Sequence, residues 1–266
     1  MVVEDEMKKH LVLFLLLVLG FSTACQTLFP VKDTPRDGTV ITTCANVTSA
    51  IRGLQTNDVP NSLYETGVKQ GNEFDANEYF GVLPGISMRE GYVLDYIFPV
   101  DFLGAYPVLA ARPVEQTAYT SSGDLPEDSE LFKYWNYMDV NDTEQGYFEY
   151  TAFLATADQF YLVWHANYND EEIVCDQADV DDIVTERNTG NFGFEFDKDQ
   201  MTQIRAMNNI EPLVKLTNTT AVVEIVTFSK WGGFFRVTYT IDRAFPHSII
   251  DVQDENIVPY DCGIMF

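Results

Sequence analysis

The chain has 266 residues, with 41 Asp or Glu against 16 Lys or Arg, giving a formal net charge of −25. Such a balance repels nucleic acid and anionic lipid headgroups, so neither is expected as a partner. With 46% apolar and 14% aromatic residues, the chain can bury a sizeable core, which excludes a disordered polymer, and its length suits one large domain or two small ones.

Lys8 and Lys9 precede an unbroken apolar run, Leu11–Leu19, extended through Gly20 and Phe21. The run falls short of the roughly 20 apolar residues that a bilayer-spanning helix needs. It suits the helical apolar region of an export signal. Ser22, Thr23, Ala24 and Cys25 follow. This pattern resembles the lipobox of bacterial lipoproteins, with Ser22 where that motif more often has Leu. The resemblance implies that Cys25 is acylated, with palmitate-type chains, and becomes the first residue of the mature chain. Simple secretion with cleavage at the same bond and an uncleaved anchor are the alternatives. Residues 1–24 then form the signal peptide, with Met7 an alternative start because Met1–Glu6 is acidic. Lipidation would make the membrane a partner through Cys25, on the extracytoplasmic side of a bacterial cell envelope.

Residues 25–38 hold Pro30, Pro35 and Gly38 without periodicity and read as a tether. Residues 39–266 read as one α+β domain, rich in antiparallel sheet with a few short helices. Within it, Val47, Ala50, Ile51 and Leu54 recur at helical spacing over Thr42–Leu54. Asp75–Leu83 suits a short helix capped by Asp75. Gly91–Pro99 and Tyr106–Ala111 have strand composition, and Thr117–Ser129 is a polar loop. Tyr147–Thr156 and Phe160–Asn167 are expected to pair as a hairpin through Asp158-Gln159. Asn167–Asp199 is acidic and partly helical, and Asp199–Asn208 is a short helix. Pro212–Leu216, Ala221–Phe228 and Phe234–Ile241 form three strands, with Gly232-Gly233 at a turn, and Ser248–Val252 adds another.

With Cys25 lipidated, Cys44, Cys175 and Cys262 remain, allowing one disulfide and one free thiol. Cys44 and Cys262 lie near the two ends of the folded region, so their bridge is the first expectation. Cofactors are not evident. Calcium is the one metal the composition suggests, at Asp139 and Asn141, or at Asp176, Asp179 and Asp181, though neither stretch follows the EF-hand spacing. His165 and His247 are the histidines beyond the signal, and a Cys175–His165 couple has no supporting motif. Trp135 with Tyr134 and Tyr137, Trp164 with Tyr161 and Tyr168, and Trp231 with Phe234 and Phe235 read as core packing or as a sugar- or peptide-binding face. Arg236 and Arg243 are rare positive charges, suited to ion pairs or to an anionic ligand.

The blocks EYFGVLPGISMREGYVLDYIFPVDFLGAYPVLAAR and SKWGGFFRVTYTIDRAFPHSIIDVQDENIVPYDCGIMF resemble those of uncharacterised bacterial envelope proteins. That resemblance implies an envelope location without an activity. Two functions therefore stand side by side: a non-catalytic ligand-binding or envelope-structural lipoprotein, and an extracytoplasmic hydrolase acting through acidic residues.

Overall fold

A computed structural model describes residues 36–101, 103–124, 130–190 and 193–263. The signal segment, Cys25 and the tether up to residue 35 lie outside the described residues. Asp37–Phe266 forms one compact unit, an α+β domain dominated by antiparallel pairing.

In chain order, β1 (Thr39–Val40) leads to α1 (Cys44–Leu54) and α2 (Asn61–Thr66). Asp75 caps a 3-10 turn, its side chain accepting the Asn77 N–H. That turn runs into α3 (Tyr79–Val82), as the sequence suggests. Strands β2 (Ile86–Met88), β3 (Tyr92–Ile97), β4 (Val100–Asp101), β5 (Gly104–Ala105), β6 (Val108–Pro113) and β7 (Met138–Val140) precede α4 (Glu144–Thr156). Then come β8 (Val163–Trp164), β9 (Glu172–Val174), α5 (Gln177–Thr189), α6 (Lys198–Ala206), β10 (Leu213–Leu216), β11 (Thr220–Ser229), β12 (Gly233–Asp242) and β13 (Ile249–Pro259).

The main sheet runs β1-β10-β11-β12-β13, and β9 pairs with the far half of β11, along the same edge as β10. The β11–β12 hairpin turns at Gly233, where φ is +94° and a Cβ would lie 2.0 Å from the Val258 carbonyl oxygen, so only glycine fits. The sheet separates two cores. Ala221, Val223 and Ile225 face the larger one, whereas Val226 and Phe228 face a smaller one shared with Val180 and Ile183 of α5 and Ile204 of α6. The alternation along β11 is the two-residue period of a strand packed on both faces.

Helix α4 fills the larger core. Thr143 Oγ1 accepts the Gly146 N–H and starts the helix. Tyr147, Phe148, Tyr150 and Phe153 are all fully buried. The expected hairpin of Tyr147–Thr156 with Phe160–Asn167 is therefore wrong. A helix buried all round has no polar face, so its period is invisible, and its aromatic residues imitate a strand. Thr151 and Thr156 donate back to the Tyr147 and Ala152 carbonyls, at 2.9 and 2.7 Å, so their hydroxyls need no outside partner. Beyond the helix, Tyr161 and Trp164 take positive φ (55° and 56°), which breaks a strand after Val163–Trp164.

The expected Cys44–Cys262 bridge is also corrected: Cys44 pairs with Cys175, Cα–Cα 5.5 Å, and Cys262 is a buried free thiol. Cys44 and Cys175 belong to the larger core and Cys262 to the smaller one, on the opposite face of the sheet. Proximity to the chain ends was a poor guide because the sheet stands between them.

Candidate functional site

A cleft of about 460 Å³ lies between the β3–β6 ribbon, the loop around residues 69–77 and the stretch 118–120. Its organising group is Asp95, only 7% exposed. An aspartate inside a strand is disfavoured by local propensity, so its partners have to account for it. Lys69 Nζ donates to Oδ1 at 2.5 Å and Arg112 Nε to Oδ2 at 2.6 Å. The Tyr96 and Tyr119 backbone N–H groups donate as well, at 2.8 and 3.0 Å. The ribbon register explains the arginine: Val93 lies opposite Arg112 and Asp95 opposite Ala110. Asp95 and Arg112 are thus diagonal neighbours on one face.

Burial by itself would raise the Asp95 carboxyl. The Lys69 hydrogen bond and charge, with the two backbone N–H groups, outweigh it and hold the carboxyl below the usual range. The group stays ionised and fully engaged. Lys69 also sits 4.2 Å from the centre of the Tyr96 ring, a cation–π contact.

The opposite wall is built by carboxylates turned inward on their own loop. Glu73 accepts the N–H groups of Gln70, Gly71 and Asn72 at 2.7, 2.8 and 3.1 Å. Burial opposes ionisation there, yet these backbone donors keep its carboxyl below the usual range. Asn77 copies a peptide group, accepting the Leu94 N–H and donating to the Leu94 carbonyl, both at 2.9 Å. The loop is thereby pinned to β3.

Two groups are left over. The hydroxyls of Tyr96 and Tyr119 are buried and have no hydrogen-bond partner, although their residues line the cleft. Burial, then neighbouring negative charge, pushes both phenols upward, so they stay protonated donors. An unpaired buried hydroxyl costs about 1–3 kcal/mol, and native structures rarely keep one without a reason. The bonds described above do not use Arg112 Nη2 either. The Asp95 and Glu73 carboxylates are engaged, whereas the two phenol hydroxyls are donors without an acceptor, so a guest carrying acceptors complements this part of the cleft.

None of the candidate site residues read from the sequence lines this cleft. Trp135 is half-buried in the turn Tyr134–Tyr137, its ring edge-on to Tyr134 at 5.3 Å. Arg243 makes a two-point ion pair with Asp142, both bonds 2.7 Å, and also donates to the Thr217 carbonyl. Arg236 donates to the Asn208 carbonyl at 2.7 Å and faces Glu224 at 3.7 Å. Both arginines are structural ties. Asp176 caps α5, Asp179 accepts the Cys175 N–H, and Asp181 accepts from Gln177. Asn141 accepts from Thr143, and Asp139 lies exposed on β7. Among the described residues no group of three or more His, Cys, Asp or Glu is placed to hold a metal. Cys175 is consumed by its disulfide, which ends the Cys175–His165 couple. His165 itself opens a 3-10 turn rather than lying in a strand. Searches of family models, curated proteins and solved structures returned no match.

Asp158 and Glu171 sit outside the cleft. Desolvation raises both carboxyls, helped at Glu171 by the charges of Asp170 and Asp158. A carboxyl whose folded pKa lies above its unfolded value contributes stability at low pH and loses it as pH rises through the folded value. The double variant Asp158→Asn, Glu171→Gln is expected to gain stability relative to the parent as pH climbs from the ordinary carboxylate range toward neutrality. Urea midpoints measured across that interval check this; a constant gap between the two proteins would contradict it.

Proposed function

We propose that this chain is an exported, lipid-anchored protein of a bacterial envelope that binds a small, acceptor-rich molecule in the Asp95 cleft without transforming it. The observation that carries the reading is the pair of unpartnered hydroxyls on Tyr96 and Tyr119, beside a carboxylate that four donors already saturate. Such a wall can bind, and its Asp95 carboxylate is too fully engaged to act as a base. The Cys44–Cys175 disulfide supports an oxidising compartment, and the lipobox-type Cys25 supports the anchor. Processing at Cys25 that continues unchanged under globomycin, which blocks lipoprotein signal cleavage, would dismiss that anchor.

The rival reading, hydrolysis by acidic residues, needs a raised carboxyl at a cleft wall. Asp158 and Glu171 are raised but do not line the cleft, and Asp95 is lowered. Calcium at Asp139 and Asn141, or at Asp176, Asp179 and Asp181, is the finer reading of the acidic segments. A melting temperature unmoved by millimolar calcium would dismiss it.

The experiment that tests ligand binding uses Tyr119→Phe. Deleting an unsatisfied buried hydroxyl is expected to leave the ligand-free domain as stable as the parent or to stabilise it, by up to about 1 kcal/mol. The same change should abolish most of the melting-temperature rise that a ligand gives the parent in a small-molecule thermal-shift screen. Residues retained for function carry this opposition between stability and binding. A Tyr119→Phe protein that loses stability and still responds to every hit would sink the proposal.

A further inference from the structure

We infer that a second pocket, formed where β4, β5 and β8 meet α2, is a binding site for an organic ammonium cation. The pocket encloses about 230 Å³ and is lined by Tyr64, Val100, Asp101, Gly104, Val163 and Trp164, among others. It is separate from the Asp95 cleft and shares no residue with it.

Trp164 is 61% exposed, the most exposed of the described tryptophans, and stands at φ 56° and ψ −118°. A bulky residue in that region costs on the order of 1–3 kcal/mol and persists only where its surroundings over-determine it. Three features hold it. Gly104 pairs with Trp164 in the β5–β8 ladder. The following N–H, of His165, donates to the Leu103 carbonyl at 3.1 Å. Asn167 Nδ2 donates to the Trp164 carbonyl at 2.9 Å. Gly104 is required for this approach: its φ is +141°, and a Cβ there would meet the Val163 carbonyl oxygen at 2.2 Å. The backbone thus fixes an indole toward water, where burial would otherwise be favoured. Tyr64, 46% exposed, contributes a second aromatic side chain to the pocket wall.

The charge of the pocket selects the guest. Asp101 Oδ1 accepts the Leu103 and Gly104 N–H groups, at 2.7 and 3.1 Å, which fixes the carboxylate; these bonds leave Oδ2 unused. No lysine or arginine lines the pocket among the described residues. An aromatic face and an uncompensated carboxylate together favour a cation with apolar surface, which the ring quadrupole attracts and the carboxylate neutralises. A small inorganic cation would keep its water and gain nothing from the ring. A neutral sugar could stack on the indole but would leave the charge unbalanced. The surplus negative charge of the whole chain, −25, draws cations toward the surface at low salt.

Isothermal titration of choline chloride into the full chain tests this, with sodium chloride, glucose and the neutral isostere 3,3-dimethylbutan-1-ol as comparisons. Saturable choline binding is expected, weakened roughly tenfold in Asp101→Asn and lost in Trp164→Ala. The substituted amide keeps an oxygen for the two backbone donors, so the turn survives and the charge alone is removed; an unchanged melting temperature confirms it. Three results would each overturn the inference: no saturable heat with choline, equal affinity for the neutral isostere, or glucose binding in place of choline.

Discussion

Asp95→Ala is expected to destabilise the domain by about 3–5 kcal/mol, because it leaves two cations and two backbone N–H groups without their acceptor in a buried site. Lys69, Arg112 and the N–H groups of Tyr96 and Tyr119 all converge on that one side chain. Removing one partner of a buried pair costs more than the pair contributes, since the survivor keeps its desolvation penalty. The triple variant Lys69→Met, Arg112→Leu, Asp95→Leu tests this directly. It should recover most of the loss while abolishing ligand binding, because all the charges leave together. Acid gives an independent readout. The Asp95 carboxyl is held below its ordinary value, so its contribution is present above the unfolded pKa and fades as pH falls through the lower, folded one. The parent should therefore lose stability below the ordinary carboxylate range more steeply than the triple variant. An Asp95→Ala protein within about 1 kcal/mol of the parent would mean that the site is more open to water than its burial indicates.

The sequence carried a trace of this site that composition-based reading passed over. An aspartate within GYVLDYIFP breaks an otherwise apolar strand, and Arg112 stands at the end of the next strand with strand composition. Antiparallel register then puts the two side by side. Lys69 could not be foreseen, because its approach depends on a loop pinned by Asn77 to the Leu94 backbone. Helices α1 and α6 were legible from their one-sided apolar spacing, the Asp75-capped turn from its cap, and the strands β10 to β12 from their composition and turn residues. Helix α4 was read as a strand because burial on every side erased the pattern that would have revealed it, and short elements such as α2 and β7 carried too few residues to show a period. Acidic side chains misled in a different way. Asp176 and Asp179 read as calcium ligands, yet both, like Asp197, accept backbone N–H groups at or beside a helix start, the commonest structural use of such residues.

The disulfide carries the other large effect. Cys44 and Cys175 are separated by 131 residues, and closing a loop of that size in the unfolded chain lowers its entropy by an amount worth about 5 kcal/mol at 25 °C. Native strain and residual structure usually trim such values, so a loss of about 3–5 kcal/mol is expected on Cys44→Ala, Cys175→Ala substitution. The bridge joins the start of α1 to the end of β9, both packed in the larger core. Its loss also deletes two buried sulfurs, which adds a packing penalty to the entropic one. Reduction of the parent keeps the sulfurs and removes only the cross-link, so it should cost less than the double substitution. Cys262 gives the control. It is free, buried and on the other side of the sheet, so Cys262→Ala should cost only the packing of one small side chain and leave the response to reductant intact. If reductant leaves the urea midpoint of the parent unchanged, or if Cys262→Ala rather than Cys175→Ala removes the response, the Cys44–Cys175 pairing is refuted. Placing α1 against β9 would then have to rest on apolar contacts and the exposed Arg52–Glu172 ion pair, 2.6 Å.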